Sequence, residues 1–413
     1  MHGVATGTAV PPGRWATFGA LKSRDFRLYW CAMFASVFGL TTEFVALGWL
    51  VLMLTNSPLS LGGVGLARAL PNVVLSLVGG TPADRVNRRR LLVGTHTFIA
   101  ALFFGLGALI TTSLVEIWHV YGFAILLGST RAFESPMRQA LIAHIVPKDD
   151  IGSAVALVNV VWQLPRLIGP AIAGVMIATA GIGPTFYLSG TGIFMAAVLF
   201  GLMHIGPVPF NARERSFFGS MVQGLDFIRR TPLLAALIGL TFFDSVFGMS
   251  YSTLLPVFAR DILGAGSEGL GLLHTAQACG GLVGILLAAR LARGHNRGHT
   301  TLLGSGAYGA LVACFALSPW FPSSMLIIAF IGLTHEIYMT VINTVLLLSV
   351  PDEFRGRVMG VYGLAWSIVP LGGVFSGGVA EFAGAPFAVA LGGALVLAMA
   401  LYVTTIPRVR QLD

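Results

Sequence analysis

The chain has 413 residues, of which 55% are hydrophobic and 10% charged, with a mean hydropathy of +0.83. Soluble globular chains carry about 25% charged residues, so a soluble enzyme, a nucleic-acid binder and a disordered chain are poor fits. The formal charge of +8 invites a nucleic-acid partner, but the placement of the basic residues gives another reason for it.

The first 27 residues include Pro11, Pro12, Arg14, Lys22, Arg24 and Arg27 and no apolar stretch of signal-peptide length. They read as an uncleaved cytoplasmic segment. Apolar runs follow near 28–54, 60–82, 91–113, 118–146, 151–180 and 184–204. After a polar connector at 205–232 they resume near 233–259, 268–291, 300–318, 323–350, 356–382 and 386–406, leaving a tail at 407–413. A bilayer core takes about 20 apolar residues per helix. The expected fold is therefore an all-α membrane protein, with twelve transmembrane helices in two six-helix bundles, 28–204 and 233–406. Small-x-x-x-small spacings, as from Gly169–Pro170 to Gly174 and from Gly373 to Gly377–Gly378, let such helices approach closely in lipid. In the connector, Phe217, Phe218, Met221, Val222, Leu225 and Ile228 recur at helical spacing. They predict an amphipathic helix on the inner leaflet, with a soluble linker helix as the alternative.

With the amino terminus inside, Arg260 falls outside, Arg68, Arg131 and Arg166 fall within spans, and every other one of the 25 basic residues falls inside. This asymmetry obeys the positive-inside rule and assigns both termini to the cytoplasmic side of the cell (inner) membrane. It accounts for the basic charge without nucleic acid. Cys31, Cys279 and Cys314 lie in separate apolar runs and offer neither a disulfide framework nor metal spacing. The nine histidines show no ligand spacing either, so no metal or cofactor is expected. Gly264 to Gly269 spells a dinucleotide-type glycine pattern, but after an apolar helix rather than a strand, and no ATP-binding loop is found.

The halves repeat. At an offset of 209, Ser36-Val37-Phe38-Gly39 meets Ser245-Val246-Phe247-Gly248; at 204, Trp162 meets Trp366, Gly169 meets Gly373 and Gly174 meets Gly378. Two related six-helix halves suit a transporter that rocks about a central site.

The loop Gly79-Gly80-Thr81-Pro82-Ala83-Asp84-Arg85-Val86-Asn87-Arg88-Arg89-Arg90 resembles the loop 2–3 signature of the major facilitator superfamily. Pro82 stands where leucine is usual and Asn87 where glycine is usual; Asn tolerates the left-handed backbone that glycine would supply. Other stretches are similar to the superfamily's enterobactin-exporter-like and macrolide-efflux-like branch. They are Phe26-Arg27-Leu28-Tyr29-Trp30, Phe133 to Ala140, Arg166-x-x-Gly169-Pro170, Leu254-Leu255-Pro256-Val257-Phe258, and Val350-Pro351-Asp352 running into Arg355-Gly356-Arg357-Val358-Met359. The resemblance implies a conformational latch of Gly80, Asp84, Arg85 and Arg88 against the start of the eleventh span near Gly356. An anion there would meet the free amides and positive dipole end of that helix, and only while the inner side is closed.

The resemblance also implies that spans 1, 4, 7 and 10 line a central cavity. Each carries one carboxylate within its apolar run: Glu43, Glu134, Asp244 and Glu336. Arg68, Arg131, Arg166, His274 and His335 lie within spans too. Each such charge costs roughly 2.5–3.5 kcal/mol on insertion scales, so it should face a cavity or a partner. A carboxylate in a poorly hydrated cavity can exchange a proton near neutral pH, which is the chemistry of proton–substrate antiport. Glu43, flanked by Thr41, Thr42 and Trp49 with no adjacent base, is the first candidate for coupling, and Asp244 the second. Glu134 is expected to pair with Arg131 and Arg138. Arg166 is open to either a buried pairing or a substrate anion. Adjacent His335 and Glu336 must point different ways. Trp162 and Trp366 form walls of a substrate pocket or pack against lipid.

The expected function is secondary transport by alternating access, with no enzyme activity. Its form is proton-coupled efflux of a medium-sized amphipathic compound, a siderophore or drug. The expected partners are that small molecule, protons and membrane lipids, with the chain acting as a monomer. The alternatives are an uptake porter or facilitator of the same fold, or a non-transporting sensor or lipid-handling homologue.

Overall fold

Ser23 starts the first span: its backbone is extended and its Oγ accepts from the Phe26 amide. The helix therefore begins four residues before the apolar run, as α1 (Arg24–Thr55), and ends where Asn56 turns left-handed. The computed structural model describes residues 16–78, 88–134, 145–147, 150–204, 217–291 and 296–410. Among these the chain is helical, with no strand. The spans continue as α2 (Pro58–Val78), α3 (Arg88–Thr111), α4 (Ile117–Arg131), α5 (Ile151–Ala180) and α6 (Ile182–Gly201). The second half holds α7 (Pro232–Ile262), α8 (Gly266–Leu291), α9 (Arg297–Ala316), α10 (Phe321–Ser349), α11 (Asp352–Ala383) and α12 (Ala385–Thr404). Among the described residues, ten helices are long and apolar enough to cross a membrane. Helices α4 and α9 stand at the fourth and ninth predicted positions.

Two spans are less regular than their hydropathy suggests. Helix α7 widens into π-turns at Asp244–Gly248 and Phe258–Ile262. Helix α11 breaks between Ser367 and Val369. Pro370 lacks an N–H, so the carbonyl of Trp366 loses its helical donor at that break. Unwound mid-span helices are where transporters of this architecture build their sites.

In the first half, α1 packs on α5 and α6, α3 on α6, and α2 on α4. In the second, α8 packs on α10, and α9 on α10 and α12. The halves meet along two seams, α5 with α8 and α2 with α11, which the internal repeat exchanges. Both seams close at the end of the molecule that holds the α1–α2 and α7–α8 turns, here called the far end. A Cβ on Gly174 would lie 2.5 Å from the Ser267 carbonyl oxygen, and one on Gly377 would lie 2.5 Å from that of Pro58. The predicted small-residue spacings thus serve contact between halves. Three hydrogen bonds between the two halves lie toward this end: Ser267 Oγ to Gly174 O at 3.1 Å, Ser57 Oγ to Glu381 Oε2 at 2.8 Å, and Arg260 to Asn56. At the opposite end, which carries both termini, Gly356 faces open space.

The connector helix (Phe217–Arg230) does not present all its apolar residues on one face. Met221, Gly224, Phe227 and Ile228 turn toward the protein, and Phe227 stacks on Phe354 of α11 at 4.5 Å. Val222 is left 64% exposed, with Leu225 beside it. Gly224 allows this, since it sits against the Arg357 backbone.

Candidate functional site

Asp244 opens the first π-turn of α7, where the Met249 amide reaches back to the Asp244 carbonyl at 2.9 Å. Such turns recur at functional sites because they reorient side chains within a helix. The carboxylate is 1% exposed, and His335 Nε2 of α10 stands 3.4 Å from its Oδ2. The hydroxyls of Tyr308 (α9) and Tyr338 (α10) also face Asp244. Neither reaches hydrogen-bond geometry, and both carboxylate oxygens are buried without a hydrogen-bond donor. The two tyrosine rings pack 5.3 and 5.5 Å from the His335 ring. Gly248 makes room, because a Cβ there would lie 2.2 Å from Asp244 Oδ1. A buried carboxylate whose one basic neighbour is an imidazole at 3.4 Å costs free energy while it is charged.

The first half carries a counterpart on the equivalent helices α1, α3 and α4. His96 Nε2 lies 3.1 Å from Glu134 Oε1 and 3.3 Å from Ser36 Oγ, while His96 Nδ1 lies 3.0 Å from the Leu92 carbonyl oxygen. A carbonyl only accepts, so Nδ1 carries a proton. Ser36 aligns with Ser245, the neighbour of Asp244, in the sequence repeat. His96 is thus a partner of Glu134 that the sequence did not single out, and Arg138, one of the two arginines it offered, lies outside the described residues.

Glu43 also departs from expectation. It is buried, and Arg68 Nη1 of α2 donates to both its oxygens at 3.1 Å. A base is therefore present, 25 residues along the chain. Arg68, 22% exposed, lines a pocket of about 130 Å³ toward the far end with Phe44, Val64, Pro256, Leu270 and His274, whereas Glu43 does not. Phe44 meets the His274 ring edge-on at 5.4 Å.

The remaining candidates lie on several helices of both halves. Arg166 of α5 is exposed and within electrostatic reach of His335 in the other half. Trp366, just before the break in α11, meets the His335 ring edge-on at 6.1 Å. Trp162 lies one turn before Arg166, and Arg131 is half-buried at the end of α4. Glu336 diverges from His335 as expected, packing its stem against Gly281 and Gly284 of α8. Of the latch residues, Gly80, Asp84 and Arg85 lie outside the described residues, as does the side chain of Arg88. Sequence reasoning missed His96, Tyr308 and Tyr338. The repeat was the available signal, because it sets Ser36 and Ser245 at matching places beside both clusters.

Residues 15–413 match the transmembrane secretion effector family. The chain is 28% identical to the multidrug efflux pump Tap of Mycolicibacterium fortuitum, over 89% of its own length and 92% of that protein. It is 26% identical to the staphyloferrin A transporter of Staphylococcus aureus, covering 79% and 82% of the two chains. To the enterobactin exporter EntS of Salmonella choleraesuis it is 25% identical, covering 82% and 81%. Among solved structures, the fold resembles a bacterial homologue of the lysosomal transporter Spinster in an inward-facing, unoccupied conformation. The TM-score is 0.68 at 15% identity, over 98% of this chain and 97% of that one. The nucleoside transporter NupG gives 0.73 at 12% identity, over 92% and 98%.

Proposed function

Because the chain belongs to the transmembrane secretion effector family of the major facilitator superfamily, we propose that it exports a medium-sized amphipathic compound, a siderophore or a drug, in exchange for protons. It is a multi-pass membrane transporter and not an enzyme. The efflux pump and the enterobactin exporter among its relatives support the outward direction. The positive-inside asymmetry supports cytoplasmic termini in the cell membrane. In that orientation the closed far end is the outer end, and the chamber opens to the cytoplasm.

Asp244 carries the coupling in this reading, and the observation behind it is its burial beside His335 without a hydrogen-bond donor. A proton taken up at the pair neutralises the carboxylate. Proton occupancy of the pair therefore changes the charge that a substrate in the chamber meets, and alternating access converts that linkage into exchange. Glu43 and the Glu134–His96 pair are further buried acid sites, each already holding a basic partner.

The test is flux in liposomes carrying the purified chain, screened with siderophores, macrolides and cationic drugs under an imposed pH gradient. Uphill movement is expected to stop when the gradient is collapsed. Asp244→Asn is expected to abolish gradient-driven flux while leaving downhill substrate exchange. Flux indifferent to the gradient in the parent chain would defeat proton coupling, and unchanged coupling in the variant would remove Asp244 from it. Uphill flux inward would reverse the direction proposed.

A further inference from the structure

Within the spans, the acids are the hidden charges. Glu43, Asp244 and Glu134 are all buried, each beside a basic partner. Glu336 is half-buried against α8. Arg166 is the reverse: it is exposed at the middle of α5, and among the described residues no carboxylate stands at ion-pair distance from it.

Its place is fixed from both sides. The carbonyl of Pro165 accepts from Thr41 Oγ1 of α1 at 3.1 Å, and that of Leu167 accepts from Thr275 Oγ1 of α8 at 3.0 Å. The residue between them sits at the seam of the two halves, and its charge reaches His335 of α10. Trp162 shares the helix face of Arg166 one turn away, and Trp366, 42% exposed, lies against His335. Toward the far end the pattern repeats, since Arg68 lines the pocket there while Glu43 stays behind it. Of the basic side chains deep in the spans, Arg68 is paired with Glu43, whereas Arg166 is exposed with no described carboxylate at ion-pair distance.

We propose that this chamber selects organic anions, with the Arg166 guanidinium taking a carboxylate on a substrate whose aromatic or apolar body rests on Trp366 and Trp162. Arginine is suited to this role, because its planar fork meets a carboxylate with two parallel hydrogen bonds and stays charged at every relevant pH. A lipophilic cation gains nothing from such a site and is repelled by it. The inference rests on the export reading only for the existence of a substrate. Its test reads equilibrium binding, so a failure of proton coupling leaves it intact.

Three probes share one ring and differ in head group: 2-naphthoate, neutral 2-naphthamide and cationic 2-naphthylmethylammonium. Binding of each to the purified full-length chain is measured by equilibrium dialysis in neutral detergent. The parent chain is expected to hold naphthoate at least tenfold more tightly than either of the others. Arg166→Gln is expected to bring all three within about twofold of one another, and Arg166→Lys to keep most of the preference. Unchanged weak binding of naphthamide in Arg166→Gln shows that the chamber remains formed. Equal or absent binding of the three by the parent chain, tighter binding of the ammonium, or a preference that survives in Arg166→Gln would each overturn the proposal.

Discussion

Glu43 and Asp244 are both carboxylates buried in the membrane-spanning part, and their surroundings oppose one another. Arg68 donates to both oxygens of Glu43, so removing that charge strands a guanidinium. Asp244 has only His335 at 3.4 Å and no donor in hydrogen-bond geometry, so removing its charge gives up one loose contact and relieves a burial cost. Glu43→Gln is therefore expected to destabilise the protein by up to about 3 kcal/mol, the low end for breaking a buried pair because Arg68 is partly exposed. Asp244→Asn is expected to leave thermal stability unchanged or raised. Thermal unfolding of the purified variants checks both, and a larger loss for Asp244→Asn would contradict the environments described. The acids were legible in the sequence because a charge in an apolar run stands out. Their partners were not, since Glu43 finds Arg68 and Asp244 finds His335 across helices, and hydropathy says nothing about how helices face one another. His96 and Tyr308 sit in their runs as ordinary polar residues, and only packing against α4 and α7 gives them a role.

At the scale of the helices, the seams are backbone against backbone. A Cβ on Gly271 would lie 2.3 Å from the Pro170 carbonyl oxygen, and one on Gly174 would lie 3.2 Å from the Glu268 Cα. Main chain on both sides cannot rotate away as a side chain can. Gly271→Leu is expected to hold the far end open, since overpacking of this kind costs about 1–3 kcal/mol, a shift of roughly 5- to 150-fold in the balance of states. Cysteine labelling from each side of the membrane would show greater access from the far end. Gly360→Ala, where nothing lies within 4 Å, is the control expected to change nothing. The small-residue spacing announced such contacts in the sequence, and the repeat announced that α5 and α11 would share them. The π-turn at Asp244–Gly248 had no such announcement, because every residue in it is compatible with an ordinary helix.

Across the whole molecule, α2 and α11 form a pair with Glu381 at one end. Glu381, near the end of α11, accepts from Ser57 Oγ at 2.8 Å and from the Leu59 amide at 3.3 Å, at the start of α2. Asp84, just past the end of α2, is expected from sequence to meet the start of α11 near Gly356 in the same way. Each acid would answer the free amides and positive dipole end of the opposite helix. Far-end closure engages Glu381, and the sequence expectation assigns the Asp84 contact to closure of the other end, so the two contacts would belong to opposite states. An exposed anion at a helix start contributes about 0.3–1 kcal/mol, which shifts a two-state balance by roughly two- to fivefold. Glu381→Gln is expected to move the population toward the state open at the far end by that factor. Asp84→Asn should move it the other way, and the double variant should return near the starting balance because the two terms oppose. Labelling rates of single cysteines at both mouths measure all three. If both single variants shift in the same direction, the acids do not act as a reciprocal pair, and the α2–α11 seam opens and closes on packing alone.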